Sequence, residues 1–141
     1  MPRAVLDPSV LVSALISPSG PSALLLVELR AGAFELVTSP LLLGELAEVL
    51  AREKFRPYVS KDEAAAYVEF LRRESLLVAD PESPVEQLSE DPDDEYLVTL
   101  ARAARVDALV SGDQHILGLR QEIPVTSPRA FLERLAEWEP D

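Results

Sequence analysis

The stretch "FELVTSPLLLGELAEVL", Phe34 to Leu50, joins a predicted strand to a predicted helix. Its first part, "FELVTS", is a short apolar run of the kind that a buried strand shows. Ser39 and Pro40 then favour a helix start, because serine caps free N–H groups and proline fits the first helical position. Beyond them, Leu42 and Leu46 recur with helical spacing. The stretch therefore predicts a strand followed directly by a helix.

The same order recurs along the chain, which predicts an α/β layered domain. Continuous apolar runs are expected for parallel strands that are covered on both faces. Further helix starts are predicted at Asp91-Pro92, at Ser127-Pro128 and at the capping box formed by Ser60 and Glu63. With 141 residues and no repeat or long linker, the chain is expected to form a single domain over residues 1–141. The other predicted strands are "RAVLD" (3–7), "LLVAD" (76–80), "DALVSGD" (107–113) and "IPVTS" (123–127).

The composition excludes several kinds of chemistry. The chain has no cysteine and a single histidine, His115, which excludes disulfides, thiolate nucleophiles, cysteine zinc sites and multi-histidine metal sites. Its N-terminal apolar run is interrupted by Asp7 and lacks the features of a signal peptide. We therefore expect a soluble cytoplasmic protein that does not enter a membrane.

The net charge of −12 argues against a general affinity for nucleic acid, but the charges are unevenly placed. Seven acids and no base lie between Glu82 and Glu95, whereas "REKFRPYVSK", Arg52 to Lys61, holds four bases, one acid and two aromatic residues. A basic patch can contact phosphate even on an acidic protein. A solvated helix end with packed aromatic residues explains the same pattern equally well.

Four acids fall where ligands collect in a parallel α/β sheet, beyond the carboxyl ends of the strands. Asp7 and Asp113 follow predicted strands, Glu45 lies on the edge of a helical apolar face, and Asp94 lies in the first turn of a helix. Three of these acids, and the nearby Asp91, also have a plain structural explanation. Asp7 and Asp113 can act as caps, Glu45 as an exposed helix residue, and Asp91 as a cap that favours the helix dipole. The joint arrangement is what indicates a site.

Converging carboxylates need a counterion. Two of them about 4 Å apart repel by roughly 4 kcal/mol at an effective dielectric constant near 20. Such a cluster takes up protons or binds a cation. Because the available ligands are oxygen atoms, the fitting ions are Mg²⁺ and Mn²⁺, and hydrolysis of a phosphodiester is the natural chemistry.

The motifs "VLDPSVLVSALI", "TSPLLLGELAEVLAREKF", "DPDDEYLVTLA" and "ALVSGDQHIL" together resemble those of the PIN-domain ribonucleases, in particular the toxins of toxin–antitoxin pairs. The resemblance covers nearly the whole chain. It implies a three-layer α/β/α fold with a parallel sheet in the order 3-2-1-4-5. The implied acidic quartet, which would hold the metal and carry catalysis, is Asp7, Glu45, Asp94 and Asp113, with Ser9, Asp91 and Ser111 as accessory residues.

One motif departs from the family pattern. Where the family commonly has Asp-Thr-Asn, this chain has Asp7-Pro8-Ser9. Proline removes a backbone N–H and serine shortens the polar arm, so the departure bears on metal affinity and on rate.

The resemblance implies a Mg²⁺- or Mn²⁺-dependent endoribonuclease acting on single-stranded or structured RNA, with an antitoxin protein as partner. Arg52, Lys54 and Arg56 are the candidate RNA contacts. The apolar stretch "SALLLVEL" is a candidate face for a homodimer or higher homo-oligomer, although core packing explains it more simply. Two alternatives stay open: a weak or inactive PIN-like module that binds RNA or protein, and a phospho-receiver domain.

Overall fold

The computed structural model describes residues 1–81, 92–119 and 123–138, with residues 92–94 and 115 described by their backbone alone. Strands and helices alternate along the chain as predicted. The strands are β1 (Arg3–Leu6), β2 (Glu35–Thr38), β3 (Leu76–Leu77), β4 (Ala108–Val110) and β5 (Val125–Thr126). The helices are α1 (Pro8–Ile16), α2 (Pro21–Arg30), α3 (Pro40–Leu50), α4 (Lys61–Glu74), α5 (Pro92–Ala103), α6 (Gln114–Leu117) and α7 (Pro128–Glu137), with a 3-10 turn at Glu53–Phe55.

Side-chain caps set where the helices begin. Ser39 accepts a hydrogen bond from the backbone N–H of Leu42, and Ser127 caps α7 in the same way. Ser60 and Glu63 form the predicted capping box, in which each side chain bonds to the other residue's backbone N–H at 3.0 Å. These bonds satisfy N–H groups that have no partner within the helix. The predicted start at Asp91 lies outside the described residues.

A glycine ends α2. Gly32 has φ +80°, a left-handed conformation that glycine adopts without strain. The N–H of Gly32 bonds to the carbonyl of Leu29, and the N–H of Ala33 bonds to the carbonyl of Glu28. This is a Schellman motif, which satisfies the last carbonyl groups of the helix and turns the chain toward β2.

The sheet has five parallel strands in the order β3-β2-β1-β4-β5, so the predicted fold class and strand order are confirmed. The strand order reverses between β1 and β4. β2 and β3 follow β1 on one side, and β4 and β5 lie on the other. The expectation that every strand is covered on both faces is wrong for the edge strand β3, where Leu76 and Leu77 are exposed. An edge strand has a partner on one side only, so its side chains are less enclosed.

The core lies around the central strands. Every residue of β4 is fully buried, as are Ala4, Val5 and Leu6 of β1. Helix α5 packs against β1 and β4 through its predicted inner face, where Leu97 and Leu100 are buried. This packing fixes α5 beside the point where the strand order reverses.

Within the described residues, no single helix has the length and apolar character needed to cross a membrane. Helices α1 and α2 meet that requirement only when taken together, and they are bent by 93° relative to each other.

Candidate active site

Asp7 lies directly after β1 and is 3% exposed. It caps α1, because its Oδ1 accepts a hydrogen bond from the backbone N–H of Val10 at 2.9 Å. Its own N–H donates to the carbonyl of Val110 in β4 at 3.0 Å, which ties the end of β1 to its neighbour. The structure therefore holds this buried carboxylate at the carboxyl ends of β1 and β4, where the strand order reverses.

Ser9 acts on the same carboxylate. Its hydroxyl donates to Asp7 Oδ1 at 2.5 Å, so one oxygen of Asp7 has two donors. Pro8 occupies the first helical position of α1, where an N–H would have no partner within the helix. The Asp-Pro-Ser motif thus starts the helix without loss of a helical bond, and its serine orients the acid.

Glu45 projects from α3 toward α5, where Tyr96 donates a hydrogen bond from its hydroxyl to Glu45 Oε2. Both side chains are half-buried. This bond links two helices that lie far apart in sequence, and it fixes the direction of the Glu45 carboxylate.

The hydroxyl of Tyr96 is surrounded by negative charge. Burial is the main cause that raises the pKa of Tyr96 well above its usual value, and the hydrogen bond to Glu45 is the second. The charges of Asp7 and Asp80 raise that pKa further, so both carboxylates act on the same phenol. Tyr96 therefore stays protonated, and it remains a donor to Glu45 at ordinary pH.

Asp80 was not singled out from the sequence. It follows β3, and its Oδ2 accepts a hydrogen bond from the N–H of Leu41 in the first turn of α3 at 2.9 Å. Its Oδ1 is buried and accepts no hydrogen bond from the described residues. The signal in the sequence was its position at the end of the run "LLVAD", which matches the position of Asp7 in "RAVLD".

Ser111 and Asp113 occupy the loop after β4. Ser111 is fully buried, and its hydroxyl accepts from the N–H of Asp113 at 3.0 Å. Asp113 is half-buried and lines a cavity of about 510 Å³ together with Ser9. Asp113 and the serine that donates to Asp7 therefore line one cavity.

Asp94 lies in the first turn of α5, two residues before Tyr96, and the structure describes its backbone alone. The accessory candidate Asp91 lies outside the described residues. Among the residues whose side chains are described, no three carboxylate or imidazole groups are close enough together to hold a metal ion. The donors present are carboxylate and hydroxyl oxygens, which fit Mg²⁺ or Mn²⁺ in chemistry.

The basic segment after α3 lies away from these acids. Helix α3 begins at the carboxyl end of β2 and runs back along the sheet, so Arg52 is roughly 10 Å further along the helix direction than Glu45. Arg52 and Lys54 are exposed, whereas the Arg56 side chain turns inward and donates to the carbonyl of Leu50. Phe55 is buried, which removes it as a surface for stacking a base.

The PIN domain family matches this sequence over residues 3–115. The chain belongs to the PIN-domain family. PIN domains are generally nucleases, so the family supports a hydrolase activity for the chain. Among curated proteins, none matches the sequence.

Solved structures share the PIN fold at low sequence identity. PAE2754 from Pyrobaculum aerophilum is 17% identical, with a TM-score of 0.69 over 96% of each chain. A chain from the structure of VapBC2 of Rickettsia felis, bound to a DNA fragment from its promoter, is 16% identical, with a TM-score of 0.62 over 89% of this chain and 98% of that chain. At these identities the likeness shows the fold.

Proposed function

We propose that this PIN-domain protein is a divalent-metal-dependent endoribonuclease. The observation that carries the proposal is the position of Tyr96, which bonds to Glu45 while the charges of Asp7 and Asp80 act on it. Carboxylates from β1, from α3 and from the end of β3 therefore face one region. Such a concentration of negative charge repels RNA unless a cation is present, which is the expected electrostatics of a metal-dependent nuclease.

The residues that would hold the cation are Asp7, Glu45, Asp94 and Asp113. Mg²⁺ or Mn²⁺, when bound, lowers the pKa of a water molecule to give a nucleophile and offsets charge on the leaving oxygen. The buried position of Asp7 supports its role, because a carboxylate shielded from water attracts a cation more strongly than an exposed one.

The chain's own residues orient these acids before any substrate arrives. Ser9 and the N–H of Val10 both donate to Asp7 Oδ1, which leaves Oδ2 without a hydrogen bond from the described residues. Tyr96 holds Glu45 by one oxygen in the same way. Asp7 and Glu45 are thus each fixed at one oxygen, and the second oxygen of each accepts no hydrogen bond from the described residues.

RNA contacts are assigned to the exposed bases Arg52 and Lys54, with Tyr58 as an aromatic surface for a base. Tyr58 is 66% exposed, so its ring is free to stack. Arg56 is the weakest of the three basic candidates, because its guanidinium group faces the protein interior.

We assign the protein to the toxins of toxin–antitoxin pairs, with a cognate antitoxin protein as its partner. The likeness to a chain of the VapBC2 structure supports this assignment.

The test measures cleavage of mixed single-stranded RNAs with Mn²⁺, using wild type, Asp7→Asn, Asp94→Asn and Asp62→Asn. Asparagine still caps a helix, so Asp7→Asn keeps the fold while it removes a charged ligand. We expect Asp7→Asn and Asp94→Asn to lose at least about 100-fold in rate. Asp62→Asn changes an exposed acid in the first turn of α4 and is expected to cleave like wild type.

Equal cleavage by all four proteins, or cleavage that persists in EDTA, would reject the metal-dependent nuclease. RNA binding without cleavage by folded wild-type protein would support the alternative of a PIN module that binds but does not cut.

A further inference from the structure

A cavity of about 430 Å³ lies between α3 and α4, at the end of the molecule away from the acids. Its volume is in the range of small-molecule sites, and its walls are mainly apolar. The apolar lining comes from Ala47, Leu50 and Ala51 of the α3 segment and from Ala64, Ala65 and Val68 of α4. Small side chains on both helices leave space that an aliphatic group would fill.

Arg56 also lines this cavity, and its charge is incompletely satisfied. Its Nη2 donates to the carbonyl of Leu50, the last residue of α3. Its Nε and Nη1 are buried and have no hydrogen-bond partner among the described residues. Buried donors without partners are costly, and those of a charged group are more costly than neutral ones.

The neighbouring charges do not neutralise Arg56. Glu69 is the acid among the described residues that line the cavity, and both of its oxygens accept from Arg72, at 2.9 Å and 3.0 Å. Lys61 lines the cavity as well and adds positive charge. An apolar space with unmatched positive charge therefore remains in a protein whose net charge is −12.

We propose that this cavity binds a carboxylate carried on a short aliphatic chain. The carboxylate accepts hydrogen bonds from the guanidinium group of Arg56, whose Nε and Nη1 are covered in the free protein and turn toward the cavity when the ligand binds. The aliphatic chain lies against the alanines of α3 and α4. A free short-chain acid and a peptide with leucine beside glutamate both carry this chemistry. The site is separate from the nuclease centre and does not depend on it.

The experiment titrates the isotope-labelled full chain with hexanoate and follows its amide signals by NMR. Hexanol and hexylamine are the controls for the aliphatic chain without the negative charge. We expect saturable shifts at the residues that line the cavity, and binding of hexanol at least tenfold weaker than that of hexanoate. Butyrate is expected to bind roughly tenfold more weakly than hexanoate, because it buries two fewer methylene groups.

Three variants locate the site. Arg56→Met removes the charge and is expected to abolish the preference for hexanoate over hexanol. Ala65→Leu fills the cavity from an exposed position of α4 and is expected to abolish binding of both ligands. Ala66→Leu adds the same group at an exposed position of α4 that does not line the cavity, and it is expected to bind like wild type. Should Arg56→Met fail to fold, the comparison of Ala65→Leu with Ala66→Leu shows whether the ligand occupies this cavity.

A titration with acetyl-Leu-Glu-amide distinguishes a peptide ligand from a free short-chain acid. Tighter binding of this peptide than of hexanoate assigns the site to a partner polypeptide, and the reverse assigns it to a free acid. Equal binding of hexanoate and hexanol, no saturable binding of any probe, or unchanged binding in Ala65→Leu would overturn the proposal.

Discussion

Charged side chains at the two ends of the sheet differ in how fully the protein satisfies their hydrogen bonds. At the carboxyl ends of the strands, Asp7 is 3% exposed and receives hydrogen bonds from Ser9 and from the N–H of Val10. At the other end, Arg56 has one carbonyl acceptor, and two of its nitrogen atoms are buried without a described partner. The first charge is satisfied by the protein itself, and the second is not.

The direction of the helices explains this difference. In a parallel β/α fold the helices begin at the carboxyl ends of the strands, so free N–H groups collect there. The N–H of Val10 in α1 and the N–H of Leu41 in α3 both donate to acids, Asp7 and Asp80. At the opposite end α3 finishes, and the carbonyl of its last residue, Leu50, accepts a hydrogen bond from Arg56. We call the region around Asp7 and Asp80 the acid end and the region around Arg56 the basic end.

The strongest way to disturb the acid end is to remove the hydroxyl of Tyr96. Tyr96→Phe takes away the donor that orients Glu45 and leaves the ring in place, so we expect RNA cleavage to fall about 10–100-fold, chiefly in kcat. Tyr58→Phe removes an exposed hydroxyl and is the matched control, expected to keep wild-type kcat. Wild-type kcat in folded Tyr96→Phe would show that Glu45 needs no such support.

A buried tyrosine between the two ends, Tyr67, makes the free energy of unfolding depend on pH. Tyr67 donates to the carbonyl of Leu11 at 2.7 Å, and burial raises the pKa of Tyr67 well above its usual value. The folded state therefore holds this proton more tightly than the unfolded state. The stabilisation is complete below pH 10 or so, and it falls as the pH rises toward the folded pKa, by about 1.4 kcal/mol per pH unit.

Urea unfolding at pH 8 and at pH 11 measures this loss in the free energy of unfolding. Tyr67→Phe is expected to lower the free energy at pH 8 by about 1 kcal/mol and to show a smaller fall between the two pH values. The same alkaline fall in both proteins would contradict the assignment to Tyr67.

At the basic end, the informative change is Arg56→Met, with the free energy of unfolding measured without added ligand. This change removes a buried charge whose hydrogen bonds are incomplete, so we expect the free energy of unfolding to stay level or to rise by about 1 kcal/mol. Arg52→Met, at an exposed position, should change stability by less than about 0.5 kcal/mol. A clear loss of stability in Arg56→Met would mean that its hydrogen bond to Leu50 outweighs the unmatched charge.

The smallest expected effect lies beside the acid end, at Gly44 in the middle of α3. A Cβ added there meets no atom within 4 Å, so Gly44→Ala should raise the free energy of unfolding by about 0.5 kcal/mol through higher helix propensity. Gly32→Ala is the opposite case, because φ +80° opposes any side chain, and it should lower stability by about 1 kcal/mol. Thermal unfolding of both variants checks the difference in sign.

Apolar runs and caps such as Ser39 and Ser60 are local signals, and they predicted the strands and the helix starts. The strand order followed from the resemblance to the PIN-domain ribonucleases and not from these local signals. It also placed Asp7 and Asp113 beyond the strands that they follow. The roles of Tyr96 and Asp80 did not emerge, because each depends on a partner in a distant element. The inward turn of Arg56 was missed for the same reason, as basic residues in a sequence are expected to face solvent.

The shortness of the outer strands bears on how copies of this protein can associate. β3 and β5 have two residues each, so neither offers a long row of free backbone groups to a neighbouring molecule. Assembly by extension of the sheet into a continuous ribbon is therefore disfavoured. The candidate dimer face "SALLLVEL" stays a prediction, and it lies on α2, where Leu24 and Val27 are 51% and 59% exposed.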